Sequence, residues 1–261
     1  MTVRSREHLG NVAVLGLGRT GEAVARYLSG LVPERVSSVT LFGGSASSPG
    51  ERTRALEALG VSVVTGTDVV SGRYDLAVAS PGIPDTSDFF LSAAACSGEV
   101  VGEPELAWRE SPDRWVAITG TNGKTTTTSL AAHLLREGGL SAEPVGNIGT
   151  TPTEALATRG PATWFVAELS SFQLHSINIR PDVAVVTNVS PNHLDKHPDF
   201  DDYVSAKRQI FANQTADDVL VVNRDNAYTA RFGEEAKSRV LYFSRKETLS
   251  DGVFCRNGMI Y

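Results

Sequence analysis

The sequence predicts an α/β protein with two parallel-sheet domains, the first of them Rossmann-like. Three observations support this fold class. Short apolar runs alternate with helical patterns along almost the whole chain, as in sheets whose strands are buried on both faces. Two glycine-rich loops each join such a run to a helix. The chain has 261 residues, 41% of them hydrophobic and 21% charged, which is enough for two ordinary globular domains.

The first series of elements begins with the apolar run "VAVLGLG" at residues 12–18. The segment "TGEAVARYLSG" follows, and its apolar residues recur at helical spacing. The runs "SVTLF", "VSVV" and "DLAVAS" predict further strands. This series ends near Gly102, where a short linking helix begins. We therefore place a first domain at residues 1–102 and a second at residues 103–261.

The second series begins with the run "WVAITG" and a helix predicted over residues 125–137. The apolar runs "TWFVAELS", "DVAVVTNVS" and "DVLVVNRD" follow, each bounded by turn residues or a helical stretch. The last segment, "GVFCRNGMIY", predicts a β-hairpin with a type I′ turn at Asn257 and Gly258. Because its returning strand has only three residues, we expect the second domain to be incomplete.

The first glycine-rich loop, "GLGRTG", has the spacing of a dinucleotide-binding loop, with Gly16, Gly18 and Gly21 between a strand and a helix. A nicotinamide cofactor would also need an acidic residue about 20 positions on, to hold a ribose hydroxyl. The next strand instead ends in Gly43 and Gly44. The loop therefore predicts phosphate binding without NAD. The alternative is a glycine turn that only allows close packing of strand and helix.

The second glycine-rich loop, "GTNGKTT", is a shortened phosphate-binding loop. A Walker A motif would have glycine at position 118, where this chain has Ile118. The chemistry is still present, because backbone N–H groups around Gly123 and the start of a helix attract anions. Lys124 reaches phosphate oxygens and the Thr125 hydroxyl binds Mg²⁺ in such loops. The second domain is therefore predicted to be a P-loop domain that binds a nucleoside triphosphate; the alternative is a glycine turn capping a threonine-rich helix.

Two later strands also end in reactive residues. Glu168 closes "WFVAE", and His193 and His197 follow "VAVVTNVS". Loops after parallel strands converge on one crevice, so Glu168 and His193 are candidates for a Mg²⁺ site with Thr125. The i, i+4 spacing of the two histidines also fits zinc on a helix, although Pro191 and Pro198 bracket them and no third nitrogen or sulfur ligand is in view. A capping or core histidine is the remaining alternative.

Lys207 falls in the middle of the apolar stripe of the helix predicted in "DDYVSAKRQIFANQ". One interpretation is a lysine whose stem lies along the edge of the core while its tip reaches water. The other is a lysine held beside metal and phosphate. A desolvated lysine has a lowered pKa and becomes a nucleophile for small electrophiles such as CO₂.

Charge and cysteine content argue against several function classes. The net charge is −6, from 24 basic and 30 acidic residues without a basic cluster, so nucleic acid is not an expected partner. Two distant cysteines suit a reducing cytosol. The first apolar run is too short for a secretory leader, and the sequence lacks an apolar run near the ~20 residues of a membrane span. We expect a cytoplasmic protein without a membrane partner.

Together the motifs resemble those of the ATP-dependent Mur ligases of peptidoglycan synthesis. The resemblance covers nearly the whole chain and depends on "GTNGKTT", "GNIG", "ELSSFQL", "NVSPNHLDKH" and "YVSAKRQIF", in their expected order. The segments "ELSSFQL" and "ASPGI" are most similar to those of the members that add D-glutamate to UDP-N-acetylmuramoyl-L-alanine. Members that add diaminopimelate or lysine tend to have histidine where this chain has Phe172.

The resemblance implies a role for each candidate residue. Lys124, His193 and Lys207 would be catalytic, with Lys207 standing where the family carries a carbamylated lysine. Two Mg²⁺ ions would be held by Thr125, Glu168, His193 and the modified Lys207. ATP would bind Gly120, Thr121, Asn122, Gly123, Lys124, Thr125 and Thr126. The muramoyl substrate would contact Gly18, Arg19, Thr20, Gly82, Asn147 and Ser170.

The implied reaction is phosphoryl transfer from ATP to the substrate carboxylate, followed by attack of the D-glutamate amine on the acyl phosphate. The resemblance also implies a missing C-terminal domain for the amino acid and low activity of this chain alone. We expect a monomer, since nothing in the sequence suggests an obligate partner. One departure concerns Gly43, Gly44 and Ser45, since many relatives hold the UDP end there with polar or charged residues. Three alternatives stay open: another amino-acid specificity, a non-catalytic nucleotide-binding relative, and a nicotinamide-dependent dehydrogenase.

Overall fold

A computed structural model describes residues 8–175, 177–192 and 197–261. The strands of these ranges are β1 Gly10–Leu15, β2 Val36–Phe42, β3 Ser62–Val64, β4 Leu76–Ala79, β5 Val100–Gly102, β6 Trp115–Thr119, β7 Ala142–Gly146, β8 Trp164–Glu168, β9 Val183–Val186, β10 Val219–Asn223, β11 Arg239–Ser244, β12 Gly252–Arg256 and β13 Met259–Ile260. The helices are α1 Arg19–Ser29, α2 Glu51–Glu57, α3 Asp88–Cys96, α4 Glu103–Glu110, α5 Lys124–Glu137, α6 Pro152–Leu156, α7 Ser171–His175, α8 Phe200–Arg208 and α9 Ala227–Glu235.

The chain divides into two compact units. Unit 1 comprises Met1–Ser111 and Thr151–Thr158, and unit 2 comprises Pro112–Thr150 and Arg159–Tyr261. The predicted α/β fold is confirmed, since the strands of each unit form a largely parallel sheet with helices between them.

Unit 1 contains a parallel sheet in the order β3-β2-β1-β4-β5. The strand order reverses between β1 and β4, and a crevice at such a point is where doubly wound sheets bind ligands. The two faces of β1 belong to different cores. Val12 and Val14 pack in one apolar cluster, whereas Ala13 and Leu15 pack in another. This explains why β1 reads as a continuous apolar run instead of an alternating one.

The segment Thr151–Thr158 belongs to unit 1 although it lies between two strands of unit 2. Its helix α6 packs against α4, and the backbone N–H of Thr153 donates to the buried Glu103 carboxylate over 2.6 Å. Helix α4 also packs against β4 and β5, and unit 1 ends at Ser111, nine residues beyond Gly102. Gly102 is the end of the first series of strands in the sequence, whereas the compact unit also includes α4, which follows those strands.

Unit 2 contains an eight-stranded sheet in the order β13-β12-β11-β10-β9-β6-β8-β7. Its pairs are parallel except for β12 with β13, which form the predicted antiparallel hairpin. Asn257 and Gly258 have φ angles of 51° and 76°, as a type I′ turn requires. Strand β6 lies between β8 and β9, and all five of its residues are buried. The loops after these three strands therefore begin at one edge of the sheet.

Candidate active site

The loop between β6 and α5 has a backbone shape that only glycine adopts easily. Gly120 and Gly123 have φ angles of 152° and 81°. A Cβ at Gly120 would also lie 1.9 Å from the Thr187 hydroxyl, so the loop passes close to the end of β9. Lys124 starts α5 directly after Gly123. The first N–H groups of that helix have no acceptor within the helix and face the loop, which suits an anion.

The loop after β9 holds the glycine-rich loop in place. The N–H of Thr121 donates to the Asn188 carbonyl over 2.9 Å, and the N–H of Asn122 donates to the Asn188 side chain over 3.0 Å. The Thr187 hydroxyl donates to the Asn122 carbonyl over 2.7 Å. Thr187 and Asn188 were not chosen from the sequence, although "TN" follows β9 directly. Because the N–H groups of Thr121 and Asn122 already donate to Asn188, the N–H groups in the first turn of α5 are the donors that remain for a phosphate.

The side chains of Thr125 and Asn147 both contact Glu168 at this edge. The Thr125 hydroxyl donates to Glu168 Oε2 over 2.7 Å, and the Asn147 side-chain amide donates to Oε1 over 3.1 Å. The Glu168 side chain is only 2% exposed. A hydroxyl and a carboxylate are oxygen ligands of the kind that Mg²⁺ prefers. The residues present therefore fit a magnesium ion between Thr125 and Glu168.

Lys124 and Lys207 both lie against the glycine-rich loop. The Lys124 Nζ donates to the Thr121 carbonyl over 3.2 Å. The Lys207 Nζ donates to the Gly120 carbonyl over 2.9 Å and lies 4.5 Å from the centre of the Tyr203 ring. Lys207 is 1% exposed, so its charged tip is in the core and does not reach water. Burial and, to a smaller extent, the charge of Lys124 together lower the pKa of Lys207 to about 7.

Tyr203 connects this lysine with the glycine-rich loop. Its ring is 1% exposed, and its hydroxyl lies 3.1 Å from the hydroxyl of Thr121. Thr121 in turn accepts a hydrogen bond from the N–H of Ser190 over 3.0 Å. Tyr203 lies in the same segment, "DDYVSAKRQIFANQ", as Lys207. Its spacing of four residues from Lys207, one helical turn, is the pattern that indicates this contact.

The remaining predicted residues of unit 2 have different surroundings. Ser170 accepts a hydrogen bond from the N–H of Gln173 over 3.2 Å at the start of α7. Asn122 and Thr126 are exposed. His193 lies outside the described residues. Among the residues described, no group of three His, Cys, Asp or Glu side chains is placed to hold a metal ion.

The predicted substrate residues of unit 1 lie around the loop after β1 and the loop after β4. Gly18 and Arg19 are exposed at the start of α1, Thr20 is half-buried beside them, and Gly82 is exposed after β4. Arg19 also forms an exposed ion pair of 3.4 Å with Glu154. A residue not chosen from sequence is Ser80, within "ASPGI", because its buried hydroxyl lacks a hydrogen-bond partner among the described residues.

The loop after β2 is hydrogen-bonded to a carboxylate from another loop. Asp68, from the loop after β3, accepts hydrogen bonds from the N–H and the hydroxyl of Ser45 over 2.8 and 2.6 Å. These bonds hold the pKa of Asp68 below its usual value. Gly44, with a φ of 87°, allows the loop to pass close to Phe89. Packing therefore brings a carboxylate to the end of β2 that does not follow this strand in the sequence.

Comparison with known proteins gives a consistent result. The model of the Mur ligase middle domain matches residues 118–254. The UDP-N-acetylmuramoylalanine–D-glutamate ligase of Pelotomaculum thermopropionicum is 39% identical over 252 residues, covering 95% of this chain and 55% of that protein. The ligase of the same name from Geotalea daltonii is 40% identical over 256 residues, with the same coverage of 95% and 55%. The chain thus spans about half the length of these curated relatives.

Solved structures support the same fold. A ligase from Neisseria meningitides, UDP-N-acetylmuramate:L-alanyl-gamma-D-glutamyl-meso-diaminopimelate ligase, has a TM-score of 0.59 at 19% identity, covering 96% of this chain and 85% of that one. A murein peptide ligase from Psychrobacter arcticus has a TM-score of 0.57 at 16% identity, covering 94% and 55%. Every helix within the described ranges is too short or too polar to cross a lipid bilayer.

Proposed function

Since this chain belongs to the Mur ligase family, we propose that it provides the UDP-substrate and ATP sites of a ligase for peptidoglycan precursors. The whole enzyme would add D-glutamate to UDP-N-acetylmuramoyl-L-alanine in the cytoplasm, and it would act as a monomer. The observation that carries this proposal is the contact of Thr125 with Glu168 beside Lys124, at the edge where the glycine-rich loop begins α5. The relatives that are 39% and 40% identical support the choice of D-glutamate.

In this proposal, unit 2 binds ATP by its backbone and by Lys124. The N–H groups at the start of α5 would hold the phosphates, and the Lys124 ammonium would neutralise charge on the oxygens of the transferred group. Thr125 and Glu168 would hold Mg²⁺, which when bound offsets negative charge on the phosphates. His193 and Lys207 would complete the metal ligands, with two ions in all. Lys207 would serve as a carbamate, since its lowered pKa provides the neutral amine that reacts with CO₂.

The chemistry is an amide ligation in two steps. A carboxylate oxygen of the muramoyl-alanine substrate attacks the γ-phosphorus, while the bond from that phosphorus to the β-phosphate oxygen breaks and ADP leaves. The amine of D-glutamate then attacks the acyl phosphate, loses a proton, and releases phosphate as the amide forms. The residues of this chain contribute mainly by positioning and charge neutralisation, which account for most of the catalysis of phosphoryl transfer.

Unit 1 would bind the UDP end of the substrate. Its loop after β1 presents the start of α1 to a diphosphate, and the buried Ser80 hydroxyl beside Gly16 supplies a donor. Asp68 and Ser45 close the loop after β2, where relatives often hold the nucleoside with other residues. These contacts support a UDP site built from the loops after β1, β2 and β4.

Calorimetric titration of the 261-residue chain tests this proposal. We expect binding of UDP-N-acetylmuramoyl-L-alanine and of ATP with Mg²⁺, and no binding of NAD⁺. Binding of NAD⁺ alone would overturn the proposal in favour of a dehydrogenase. Binding of ATP without the UDP precursor would leave unit 2 as a nucleotide-binding module and refute the substrate assignment. Extending the gene to the length of the relatives then tests D-glutamate against other amino acids by release of phosphate.

A further inference from the structure

The two ring nitrogens of His197 are hydrogen-bonded to two different side chains, those of Ser171 and Asp202. We call this arrangement the Ser171–His197–Asp202 chain. The His197 Nδ1 lies 2.6 Å from the Asp202 carboxylate, and Nε2 lies 3.0 Å from the Ser171 hydroxyl. Burial opposes the charge on Asp202, but hydrogen bonds from His197 and His175 outweigh it and hold the pKa of Asp202 below its usual value. Because an ionised carboxylate only accepts hydrogen bonds, Nδ1 donates to Asp202.

This geometry excludes two other roles for His197. Both ring nitrogens are engaged, so neither is directed at a metal ion, in contrast to the zinc alternative drawn from its spacing with His193. The order serine, histidine, aspartate is also that of a nucleophilic triad. However, Ser171 is 3% exposed and His197 is 4% exposed. A substrate carbonyl therefore has no access to the Ser171 hydroxyl.

The chain instead joins two elements that carry residues of the candidate site. Ser171 is the first residue of α7, three positions after Glu168 at the end of β8. Asp202 lies in the first turn of α8, five positions before Lys207. His197 contacts both elements, and α7 and α8 pack against each other. A change at His197 would therefore alter the spacing between the Glu168 end of β8 and the helix that bears Lys207.

Aromatic packing fixes the imidazole in this position. The Phe172 ring stacks on His197 with centroids 5.1 Å apart and planes inclined by 18°. The Tyr203 ring meets it edge-on at 5.2 Å. Tyr203 is the residue whose ring lies beside the Lys207 ammonium and whose hydroxyl contacts Thr121. The position of His197 is thus linked by direct contact to the lysine and to the glycine-rich loop.

We propose that His197 is a positioning residue that holds Glu168 and Lys207 at the separation needed to bind Mg²⁺ with the nucleotide. The inference rests on the proposed function, since it concerns the same metal and nucleotide site. It assigns His197 no contact with substrate or metal. Its effect passes through Ser171 on one side and Asp202 on the other, so loss of the ring bonds would weaken binding of the metal more than binding of the nucleotide alone.

The test measures ATP binding to the 261-residue chain by calorimetry over a series of Mg²⁺ concentrations and also in EDTA. In His197→Phe we expect the half-saturating Mg²⁺ concentration to rise about tenfold, the effect of losing one or two hydrogen bonds. The affinity for ATP in EDTA should change less than about twofold, because the glycine-rich loop keeps its own bonds. His175→Asn is the matched control, since it loses a bond to the same Asp202 carboxylate from a side chain that is 38% exposed.

Conservative variants separate positioning from simple packing. The amide of His197→Asn reaches the place of Nδ1 and should restore part of the Mg²⁺ affinity through Asp202. Ser171→Ala, which keeps the imidazole, should give a smaller rise of the half-saturating concentration than His197→Phe. If His197→Phe does not fold, Ser171→Ala and His197→Asn still carry the test. A raised Mg²⁺ requirement in both, with unchanged binding in EDTA, supports the inference.

Two results would overturn the inference alone. One is a lower melting temperature in these variants with an unchanged Mg²⁺ requirement, which would make His197 an ordinary core residue. The other is covalent labelling of Ser171 by a fluorophosphonate, which would make the Ser171–His197–Asp202 chain a nucleophilic site. If the unaltered chain itself fails to bind ATP with Mg²⁺, the proposed function fails, and the inference fails with it.

Discussion

Each unit of the chain contains a buried ionisable side chain whose pKa lies near 7, and burial shifts these two pKa values toward each other from opposite sides. Glu103 in unit 1 is 1% exposed, and its pKa is raised to about 7, mainly because burial disfavours the carboxylate. Lys207 in unit 2 is also 1% exposed, and its pKa is lowered to about 7, mainly because burial disfavours the ammonium. Desolvation is thus the main cause in both units, and it disfavours whichever form carries the charge.

The partners of the two groups show what burial is used for. Glu103 accepts a hydrogen bond from Thr153 at the start of α6, so it anchors an element of the fold. Lys207 donates to the Gly120 carbonyl in the loop proposed to bind ATP, and a second cation, Lys124, donates to the Thr121 carbonyl of the same loop. A buried carboxylate that accepts a hydrogen bond from the start of a helix, as Glu103 does, indicates a structural role in holding that helix. A buried cation next to another cation, without an acidic partner among its described contacts, indicates chemistry instead.

Replacing Lys207 should produce the largest change in pH dependence. In the native chain the unfolded state binds more protons than the folded state between pH 7 and pH 10.5, so stability rises with pH over this window. The rise is up to about 5 kcal/mol, at about 1.4 kcal/mol for each pH unit. Lys207→Met should abolish this rise with pH and increase the free energy of unfolding at pH 7. Urea unfolding at pH 7 and pH 9 measures this; an equal pH dependence in both proteins would refute it. The same substitution, in a protein extended to the length of the relatives, should abolish ligation.

Replacing Glu103 should produce a smaller change of opposite sign. Here the folded state binds more protons between pH 4.5 and about pH 7, so stability falls as the pH rises through this window. The fall is up to about 3 kcal/mol. Glu103→Gln should remove it and leave ATP binding unchanged. Glu154→Gln is the control, because this neighbouring side chain is 50% exposed. Thermal unfolding of the native chain and both variants from pH 4.5 to pH 8 shows whether Glu103 causes the fall of stability with pH.

Removing the second cation tests the link between Lys207 and the glycine-rich loop. Lys124→Ala should weaken ATP binding about 10- to 100-fold, because a charge-assisted contact to phosphate is lost. It should also raise the pKa of Lys207, since the charge of Lys124 contributes to lowering it. Calorimetry measures the first effect and the pH dependence of unfolding the second. Arg19→Ala, at the corresponding loop of unit 1, should leave ATP binding as it is; an equal loss in both variants would contradict the assignment.

A change without a charge should have the smallest effect and no pH dependence. A Cβ at Gly21 would lie 1.9 Å from the Gly16 carbonyl oxygen, whereas a Cβ at Gly18 would have no atom within 4 Å. Gly21→Ala should therefore lower the free energy of unfolding by about 1–3 kcal/mol at every pH, and Gly18→Ala by less. Urea unfolding of both variants measures the difference. Equal losses would show that the helix moves away from the loop at little cost.

The sequence predicted features that depend on neighbours along the chain. The type I′ turn at Asn257, the start of α5 within one residue, and the convergence of Thr125 with Glu168 all follow from local pattern or from strand order. Features that depend on packing between distant segments were not predictable. Examples are Asp68 at the end of β2 and the membership of α6 in unit 1. His193 stays a prediction, since it lies outside the described residues.

The insertion of Thr151–Thr158 into unit 1 has a practical consequence for anyone who wishes to separate the two units. The polypeptide passes from one unit to the other three times, after Ser111, after Thr150 and after Thr158. One protease cut, or one stop codon, therefore cannot divide the chain into its two compact parts. A fragment that begins at Pro112 would carry α6 without α4, and the fragment before it would leave Glu103 open to solvent. A chimera that takes unit 1 from a relative must therefore exchange two separate stretches of the gene, those encoding Met1–Ser111 and Thr151–Thr158.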